Sequence, residues 1–397
     1  MDVKNAFLHG DLSEEVYMHP PPGYHSPHKV CKLRRALYGL KQAPRAWFAK
    51  FSSTLAQFGF ISSLHDSALF ICHTDRGIVL FLLYVDDMII TGDDASGISD
   101  LQQYLSQHFE MKDLGLLSYF LGLEVSLNFE GYYLSQAKYA SDLLSQVGII
   151  DHKIVSTTLE LNCKLTPLDG TPLSDPTVYR QLVGSLVHLT VTRPDISYVV
   201  HLVSQLYPLP ACLIFSIVLG ILRYIKGTLF HGLHFLANSP LVLSGYSMIF
   251  DWLVIRRIAA LQSGYCFFLG DSLISWRSKK QKRLLPALAK NQLLATMVIN
   301  RQLLWMKQTL EDYKCSFESV PIFCDNISAI NIAQNPIHHN RTKHIEIRHH
   351  FLRDCVSKRK IEISFVPSQD QLADIFTKPL FSETFASIRA RLDIMHI

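Results

Sequence analysis

The sequence lacks the features that mark several specialised classes of protein. Its 397 residues carry a formal net charge of only +4, so any affinity for nucleic acid must come from local patches. The eight cysteines lie far apart, and no two are spaced as C-x-x-C. Cysteines scattered in this way predict reduced thiols in an intracellular protein, cytoplasmic or nuclear. They argue against a disulfide framework or a zinc ribbon.

Long apolar runs are scarce as well. The charged N-terminal stretch MDVKNAFLHGDLSEE does not have the pattern of a signal peptide. The segment LPACLIFSIVLGIL, residues 209–222, is apolar apart from Ser216 and its Pro and Gly. Its 14 residues fall short of the roughly 20 that a membrane-spanning helix requires. We therefore expect a buried helix there and no membrane partner.

What the sequence does contain is the composition of a globular protein of two or three domains, with 48% hydrophobic and 18% charged residues. One amphipathic helix is predicted from the spacing of Trp47, Phe51, Leu55 and Phe58. A second is predicted from Leu101, Tyr104, Leu105 and His108, with an N-cap at Ser99 or Asp100. Residues 165–177, rich in Pro, Gly, Asp and Thr, predict a linker, followed by a helical region to about residue 235 and a second mixed segment.

An acidic pair interrupts the apolar run LLYVDDMII, residues 82–90, where two strands joined by a tight turn are predicted. The adjacent carboxylates of Asp86 and Asp87 repel each other and resist burial unless a cation joins them. Strand alternation would send them to opposite faces, whereas a tight turn lets both reach one side. A third acid from another strand would complete an oxygen site for Mg²⁺. The alternative from these residues alone is an exposed hairpin tip with Asp as a turn residue.

A basic stripe without acids extends from residue 29 to residue 50. Its seven cations are Lys29, Lys32, Arg34, Arg35, Lys41, Arg45 and Lys50, and Tyr38, Trp47 and Phe48 lie among them. Cations interleaved with aromatic side chains suit a phosphate backbone and stacked bases. The alternative is a solvated helix face with a buried aromatic side.

Several motifs in chain order resemble those of reverse transcriptases, beginning with YVDD, the central motif of that family. MDVKNAFLHGDL resembles the motif that supplies the third metal-binding acid, here Asp2, and the bulky residue that excludes a ribose 2′-hydroxyl, here Phe7. The other motifs imply a nucleotide pocket at Gly39, Lys41, Gln42 and Pro44 (LYGLKQAPRAWF), a basic residue at Lys112 (MKDLG), and a primer grip at Leu121, Gly122, Leu123 and Glu124 (YFLGLEV). Together with VYMHPPPGY, YRQLVGSLVHLTVTRPDIS and RTKHIEIRHHF, they identify the chain as a member of the copia-type LTR retrotransposon Pol family.

The resemblance implies an α+β fold. It comprises a ferredoxin-like reverse transcriptase palm with partial fingers over residues 1–150, a helical thumb or connection over 151–235, and an α/β ribonuclease H-like domain over 236–397. It also implies RNA-directed DNA polymerase activity, with an RNA template, a DNA primer, an RNA–DNA hybrid and dNTPs as partners. Asp2, Asp86 and Asp87 would hold two Mg²⁺ ions, or Mn²⁺, and Lys112 would protonate the leaving group.

Two features lower the expected activity. The chain starts one residue before Asp2, where a terminus frays unless it is held, and the family has further fingers upstream. In the ribonuclease H-like segment, Asp325 and Asp374 match the family, whereas Met248 stands at the place of the first acid. Lys290 and Gln292 replace two glutamates, and a lysine there repels Mg²⁺. We therefore expect impaired polymerisation and no RNA cleavage.

Alternatives remain from other functional classes. The chain could be a non-catalytic nucleic-acid-binding remnant or the product of a pseudogene, and an unrelated two-metal phosphatase or nuclease is disfavoured by the ordered motifs. The run WRSKKQKR, residues 276–283, suits either a grip on a hybrid or a solvated loop. The histidines of IHHNRTKHIEIRHHF suggest zinc, but no cysteine pair with ligand spacing accompanies them.

Overall fold

The computed structural model describes residues 1–24, 29–148, 153–159, 173, 175–205, 212–251, 261–281, 301–334 and 354–396. The chain forms two compact units. The first comprises Met1–Leu117 with Gln308–Cys315, and the second comprises Ser118–Lys307 with Ser316–Ile397. The domain boundaries at residues 150 and 235 stay predictions.

The first unit contains an antiparallel sheet and a separate hairpin. Its strands are β1 (Asp2–Val3), β2 (Asp11–Met18), β3 (Cys31–Arg35), β4 (Ile61–Ser62), β5 (Leu69–Thr74), β6 (Gly77–Tyr84), β7 (Asp87–Gly92) and β8 (Met111–Lys112). The six-stranded sheet has the order β4-β5-β6-β7-β1-β8, and β2 pairs with β3. The predicted pair of strands joined around the acids is confirmed as β6 and β7.

Helices α1 (Ala43–Gln57) and α2 (Ala95–His108) pack their apolar faces against this sheet. Trp47, Phe51, Leu55, Leu101 and Leu105 are all at most 1% exposed, which confirms both predicted faces. The last residue predicted for each face does not belong to it. Phe58 follows the last turn of α1, and His108 is exposed at the end of α2.

The predicted N-cap of α2 at Ser99 or Asp100 is wrong, because the cap is Asp94. Its carboxylate accepts a hydrogen bond from the Gly97 amide at 3.0 Å. Hydrogen bonds from Ser96, Gly97 and Thr74 lower the pKa of Asp94 to about 2. Only Asp93 and this cap therefore separate the end of β7 at Gly92 from the start of α2 at Ala95.

The second unit contains two further sheets. Its strands are β9 (Tyr119–Phe120), β10 (Leu123–Leu127), β11 (Gly131–Ser135), β12 (His231–Leu236), β13 (Leu243–Asp251), β14 (Leu261–Leu269), β15 (Ser272–Gln281), β16 (Val320–Cys324), β17 (Ile361–Phe365) and β18 (Ile394–His396). An antiparallel sheet has the order β18-β12-β11-β10-β9. A mixed sheet has the order β15-β14-β13-β16-β17, antiparallel on the β15 side of β13 and parallel on the β17 side.

The helices after the first unit's sheet are α3 (Ala137–Val147), α4 (Thr177–Leu189), α5 (Ser197–Ser204), α6 (Cys212–Gly227), α7 over 301–312, α8 (Ile327–Gln334), α9 over 354–357 and α10 (Ser382–Arg391). The buried helix predicted over 209–222 is confirmed by α6, whose Ile214, Val218 and Ile221 lie in the core. The helical region predicted to residue 235 ends earlier, because His231–Leu236 form β12. Of the predicted linker, only residues 173 and 175–177 are described, and α4 begins at Thr177.

A buried charged network joins three helical segments of the second unit. Arg193 contacts Asp195 through two hydrogen bonds of 3.0 and 2.7 Å, and both side chains are at most 3% exposed. Arg193 also donates to the Thr228 carbonyl at 2.8 Å, and the Tyr224 hydroxyl donates to Asp195 at 2.6 Å. Arg389 of α10 donates to the Tyr224 hydroxyl at 3.2 Å. Within the TRPDIS motif, these two charged residues therefore have a structural role.

Across the described ranges, no helix is both long enough and apolar enough to cross a membrane.

Candidate active site

The acidic pair lies on a hairpin of minimal length. Tyr84 pairs with Asp87, so Val85 and Asp86 are the two turn residues between β6 and β7. Asp86 occupies the turn, and Asp87 is the first residue of β7. Both acids are half-buried, and Asp86 is a turn residue at the tip of the hairpin, so the two interpretations of this pair both stay predictions.

Val85 adopts a backbone conformation that β-branched residues rarely take. Its φ of 56° lies in the left-handed region, which two-residue hairpins normally fill with Gly or Asn. For a β-branched residue this conformation costs on the order of 1–3 kcal/mol and persists only where the surroundings enforce it. One such restraint is visible, because the indole Nε1 of Trp47 donates to the Val85 carbonyl at 2.7 Å.

Asp2 lies in the interior of the sheet. Strand β1 pairs with β7 on one side, with Asp2 opposite Asp87, and with β8 on the other, with Asp2 opposite Lys112. The Val3 amide donates to the Asp86 carbonyl and the Met88 amide to the Met1 carbonyl, both at 3.0 Å. The expectation that Asp2 sits on a fraying end is therefore wrong, because pairing on both sides holds it.

This register places Asp87, Asp2 and Lys112 in one row across the neighbouring strands β7, β1 and β8. Residues directly opposite in antiparallel strands share a face and lie roughly 4.5–5.5 Å apart. Burial raises the pKa of Asp87, and the negative charges of Asp86 and Asp2 raise it further. The three carboxylates therefore act on one another electrostatically.

Carboxylate oxygens are the ligands that Mg²⁺ and Mn²⁺ prefer, so the chemistry of this donor set fits such a cation. Within the described part of the chain, no three His, Cys, Asp or Glu side chains are grouped closely enough to hold a metal ion. Like charges repel one another. The three carboxylates are therefore not expected to come within metal-binding distance of one another unless a cation is bound between them.

The predicted nucleotide-pocket residues surround the start of α1. Gly39 has a φ of 93°, Gln42 is the N-cap of α1, and Pro44 follows in its first turn. Lys41 is exposed. Phe7 lies in the 3-10 segment Ala6–His9, with its ring centroid 4.7 Å from that of Tyr38.

The seven cations of the basic stripe are all exposed, although two of them are paired. Lys32 contacts Glu15, and Lys50 lies 3.4 Å from Asp11. Trp47 belongs to the core, so it cannot stack on a base, whereas Phe48 is 37% exposed.

The predicted primer-grip residues form a second tight hairpin, in the second unit. Leu121 and Gly122 are its turn residues, with φ values of 50° and 85°, and Leu123 pairs with Phe120. The Glu124 carboxylate accepts from the Ser135 hydroxyl at 3.0 Å and from the Lys138 amide at 2.9 Å. Glu124 therefore braces this hairpin against β11 and the start of α3.

The ribonuclease H-like acids have a different environment. Asp374 is 4% exposed and lies 2.7 Å from the Lys378 ammonium, while its other carboxylate oxygen has no hydrogen-bond partner. Burial raises its pKa to about 6, against the opposing effect of Lys378. Asp325 directly follows β16 and is near enough to raise that pKa further.

Met248 of β13 is buried, and its sulfur accepts from the Thr377 hydroxyl at 3.4 Å, which in turn lies 3.1 Å from the Asp374 carbonyl. A thioether is a poor ligand for Mg²⁺, and an ammonium already neutralises Asp374, so these residues do not fit a magnesium site. Lys290, Gln292 and the histidines of residues 337–350 lie outside the described residues.

The run WRSKKQKR is not a loop in its described part, because residues 276–281 belong to β15. Arg277 and Lys279 are exposed, while burial lowers the pKa of Lys280.

Sequence reasoning missed two interactions at these sites, the indole hydrogen bond of Trp47 and the ion pair of Lys378 with Asp374. The helical spacing of Asp374 and Lys378, four residues apart, was the available signal for the second.

Comparisons with known proteins agree with this architecture. Residues 1–160 match the family described as reverse transcriptase (RNA-dependent DNA polymerase). The whole chain is 39% identical to the retrovirus-related Pol polyprotein from transposon RE1 of Arabidopsis thaliana and covers 27% of it. A putative transposon Ty5-1 protein of Saccharomyces cerevisiae is 32% identical over 72% of this chain and 94% of its own length.

Among solved structures, the foamy viral protease-reverse transcriptase in complex with RNA/DNA hybrid is similar, with a TM-score of 0.50 and 12% identity. That similarity covers 92% of this chain and 43% of the viral chain. The fold is thus of the reverse transcriptase class, and the predicted α+β class is confirmed. The chain belongs to the Pol polyprotein family of copia-type LTR retrotransposons, and it spans about a quarter of the length of the plant Pol polyproteins it matches.

Proposed function

We propose that this chain carries an RNA-directed DNA polymerase site, which adds dNTPs to a DNA primer along an RNA template. The observation that supports it best is the register of Asp2 opposite Asp87, with Asp86 in the adjoining turn. Carboxylates brought together from separate strands are the arrangement that two-metal phosphoryl transfer needs.

Each neighbouring residue has a role in this proposal. Asp2, Asp86 and Asp87 would hold two Mg²⁺ or Mn²⁺ ions, whose chemistry when bound is to activate the primer 3′-hydroxyl and neutralise the triphosphate. Lys112, opposite Asp2, would give a proton to the leaving pyrophosphate. Lys41 would pair with the nucleotide phosphates, beside Gly39, Gln42 and Pro44. Phe7, packed on Tyr38, would exclude a ribose 2′-hydroxyl.

The second hairpin would support the primer strand. Leu121, Gly122 and Leu123 present their backbone at a tight turn, and Glu124 fixes that turn through Ser135 and Lys138. An intracellular location agrees with the cysteines of the described residues, all of which are free thiols.

Primer extension on an RNA template with Mg²⁺ tests the polymerase proposal. Asp86→Asn should reduce extension by at least about 100-fold, because it removes a metal-binding charge while keeping the side-chain shape. Asp75→Asn is the matched control, since Asp75 is exposed on the neighbouring β5–β6 hairpin of the same sheet. Extension by the unmodified chain that Asp86→Asn leaves intact would contradict the proposal.

We also propose that the ribonuclease H-like segment does not cleave RNA. The support is local: Met248 in place of an acid, and Lys378 already paired with Asp374. An RNA–DNA hybrid incubated with the chain and Mg²⁺ should stay uncut. Cleavage that Asp325→Asn abolishes would overturn this view.

A second candidate function is nucleic-acid binding without turnover. The exposed cations of residues 29–50, together with Arg277 and Lys279, favour it. Binding to a hybrid should then weaken steeply as salt rises, because released counterions drive association with phosphates. Such binding in a chain that shows no extension would support this function over the polymerase.

A further inference from the structure

The catalytic hairpin contains a strained residue that a buried side chain holds in place. Val85 has its φ at 56°, and its carbonyl oxygen accepts the indole proton of Trp47 at 2.7 Å. We propose that Trp47 is a positioning residue, which clamps the Val85–Asp86 turn in its left-handed conformation and thereby sets the placement of Asp86 and Asp87.

The local sequence of the turn does not favour the left-handed conformation of Val85. Left-handed backbone at the first position of a two-residue hairpin suits glycine, because a β-branched side chain collides with its own backbone there. Asp86 is the other turn residue, and Asp87 begins the next strand. A relaxation at Val85 would therefore rotate the peptide that joins it to Asp86 and move both carboxylates.

Trp47 is itself well fixed. It is 1% exposed, and its ring lies 5.1 Å from Phe51, 5.3 Å from Phe109 and 5.9 Å from His9, measured between centroids. A buried indole N–H requires an acceptor, and the Val85 carbonyl supplies one. The bond thus anchors the turn to a rigid aromatic core.

The anchor also connects two parts of the proposed site. Trp47 lies on α1, whose N-cap is Gln42 and whose first turn contains Pro44. The helix that carries these nucleotide-pocket candidates is therefore bonded directly to the turn that carries the acids. A shift of one relative to the other would break a 2.7 Å hydrogen bond.

Two substitutions test the clamp, alone and combined. Trp47→Phe keeps an aromatic ring and removes the N–H, and Val85→Gly removes the strain while leaving the carbonyl. Trp276→Phe is the matched control, because its indole donates to the Thr190 carbonyl at 3.0 Å in the second unit. The first readout is amide hydrogen exchange over residues 86–88, including the Met88 amide that bonds to Met1.

Exchange over residues 86–88 should rise by about tenfold in Trp47→Phe, and Trp276→Phe should leave it unchanged. Adding Val85→Gly should return it to within about threefold of the unmodified chain, because glycine takes the left-handed conformation without strain. Val85→Gly alone, with Trp47 present, should leave these amides protected. Unchanged exchange in Trp47→Phe, an equal rise in Trp276→Phe, or a failure of Val85→Gly to reduce the effect would overturn the clamp.

The second readout rests on the proposed function. Trp47→Phe should weaken Mn²⁺ binding, followed by electron paramagnetic resonance, by about tenfold, and should lower kcat for extension with little change in the KM for primer–template. The double variant should recover most of both losses. If Trp47→Phe causes equal losses with and without the Val85→Gly substitution, Trp47 acts through packing alone, which overturns the positioning role. If the unmodified chain neither binds Mn²⁺ nor extends a primer, the polymerase proposal fails, and the exchange result still decides the clamp.

Discussion

The two acidic sites of this chain differ in how their negative charge is balanced. In the first unit, the acids Asp86 and Asp2 are the strongest charged influences on Asp87 and raise its pKa beyond the effect of burial. In the second unit, Asp374 is paired with Lys378 at 2.7 Å, and Met248 contacts the nearby Thr377. Under the proposed function, the acids of the first unit require an external cation, whereas the Lys378 ammonium already neutralises Asp374 in the second. The acids of a motif therefore predict a metal site only if the basic side chains near them are taken into account as well.

The largest expected effect separates the two sites by their affinity for Mn²⁺. Asp87→Asn should weaken Mn²⁺ binding by more than about 100-fold, because it removes one of three cooperating carboxylates. Asp374→Asn should leave the affinity unchanged, because Lys378 already occupies that carboxylate. Electron paramagnetic resonance of free Mn²⁺ measures both. Equal losses in the two variants would remove the distinction between the sites.

Removing the internal cation should destabilise the second unit. Lys378→Met should lower the free energy of unfolding by about 2–3 kcal/mol at pH 7, since it leaves the buried Asp374 charge unpaired. The folded-state pKa of Asp374 is already raised to about 6, so protonation favours the folded state at low pH. The loss should therefore shrink as the pH falls from 7 to 5.

The matched control for that substitution is Lys358→Met. Lys358 and Asp354 are also four residues apart and 2.9 Å from each other, but they are exposed. An exposed pair of this kind contributes little to stability, so Lys358→Met should leave the free energy of unfolding nearly unchanged. Urea unfolding at both pH values gives the comparison, and equal losses in the two variants would show that burial of Asp374 is not the cause.

A smaller effect is expected from His231, which lies near the buried network of Arg193 and Arg389. Burial, then the charges of these two arginines, lower its pKa to about 4. An unfolded histidine titrates near 6.5, so its contribution to stability is present above that pH and is lost as the pH falls from 6.5 to 4. His231→Gln should remove about 1 kcal/mol of acid sensitivity in urea unfolding between pH 7 and 4.5. An unchanged pH profile would show that other groups control it.

The smallest expected effect concerns the second hairpin. Gly122→Ala should cost about 1 kcal/mol of stability, because its φ of 85° is unfavourable for any side chain. The added Cβ would also lie 3.3 Å from His188 Nε2. Gly184→Ala is the control, since Gly184 lies within α4 with open space around it, and it should gain about 0.5–1 kcal/mol. Thermal unfolding separates the two, and a stabilising Gly122→Ala would contradict the strained turn.

Periodicity and motif order predicted much of the fold and the approximate place of each acid. The buried faces of α1 and α2 followed from helical spacing, and the β6–β7 hairpin followed from the acidic pair between apolar runs. The position of Asp2 was misjudged, because a terminal residue gives no sign in the sequence that it will pair on both sides. Asp94 was missed as a cap, because its bonds to Thr74 and Gly97 depend on the end of β7.

Interactions between distant segments were the least predictable. The bond from Trp47 to Val85 joins residues 38 positions apart, and no local pattern indicates it. The buried network of Arg193 extends from its own motif to Arg389. Both depend on tertiary packing, which overrides the local preference of a β-branched residue for φ below zero and the general tendency of charges to stay in water.

The pairing of β18 with β12 has a consequence for how the protein is made. The sheet that carries the second hairpin is completed by Ile394–His396, which are synthesised 158 residues after Leu236, the last residue of β12. At roughly 5–20 residues per second, the ribosome needs on the order of 10–30 s to cover that distance. During that interval one edge of β12 stays unpaired, and an open strand edge is a template for wrong partners. In the interval after β12 has emerged and before β18 has followed, this edge of the nascent chain is therefore open to aggregation and to chaperones.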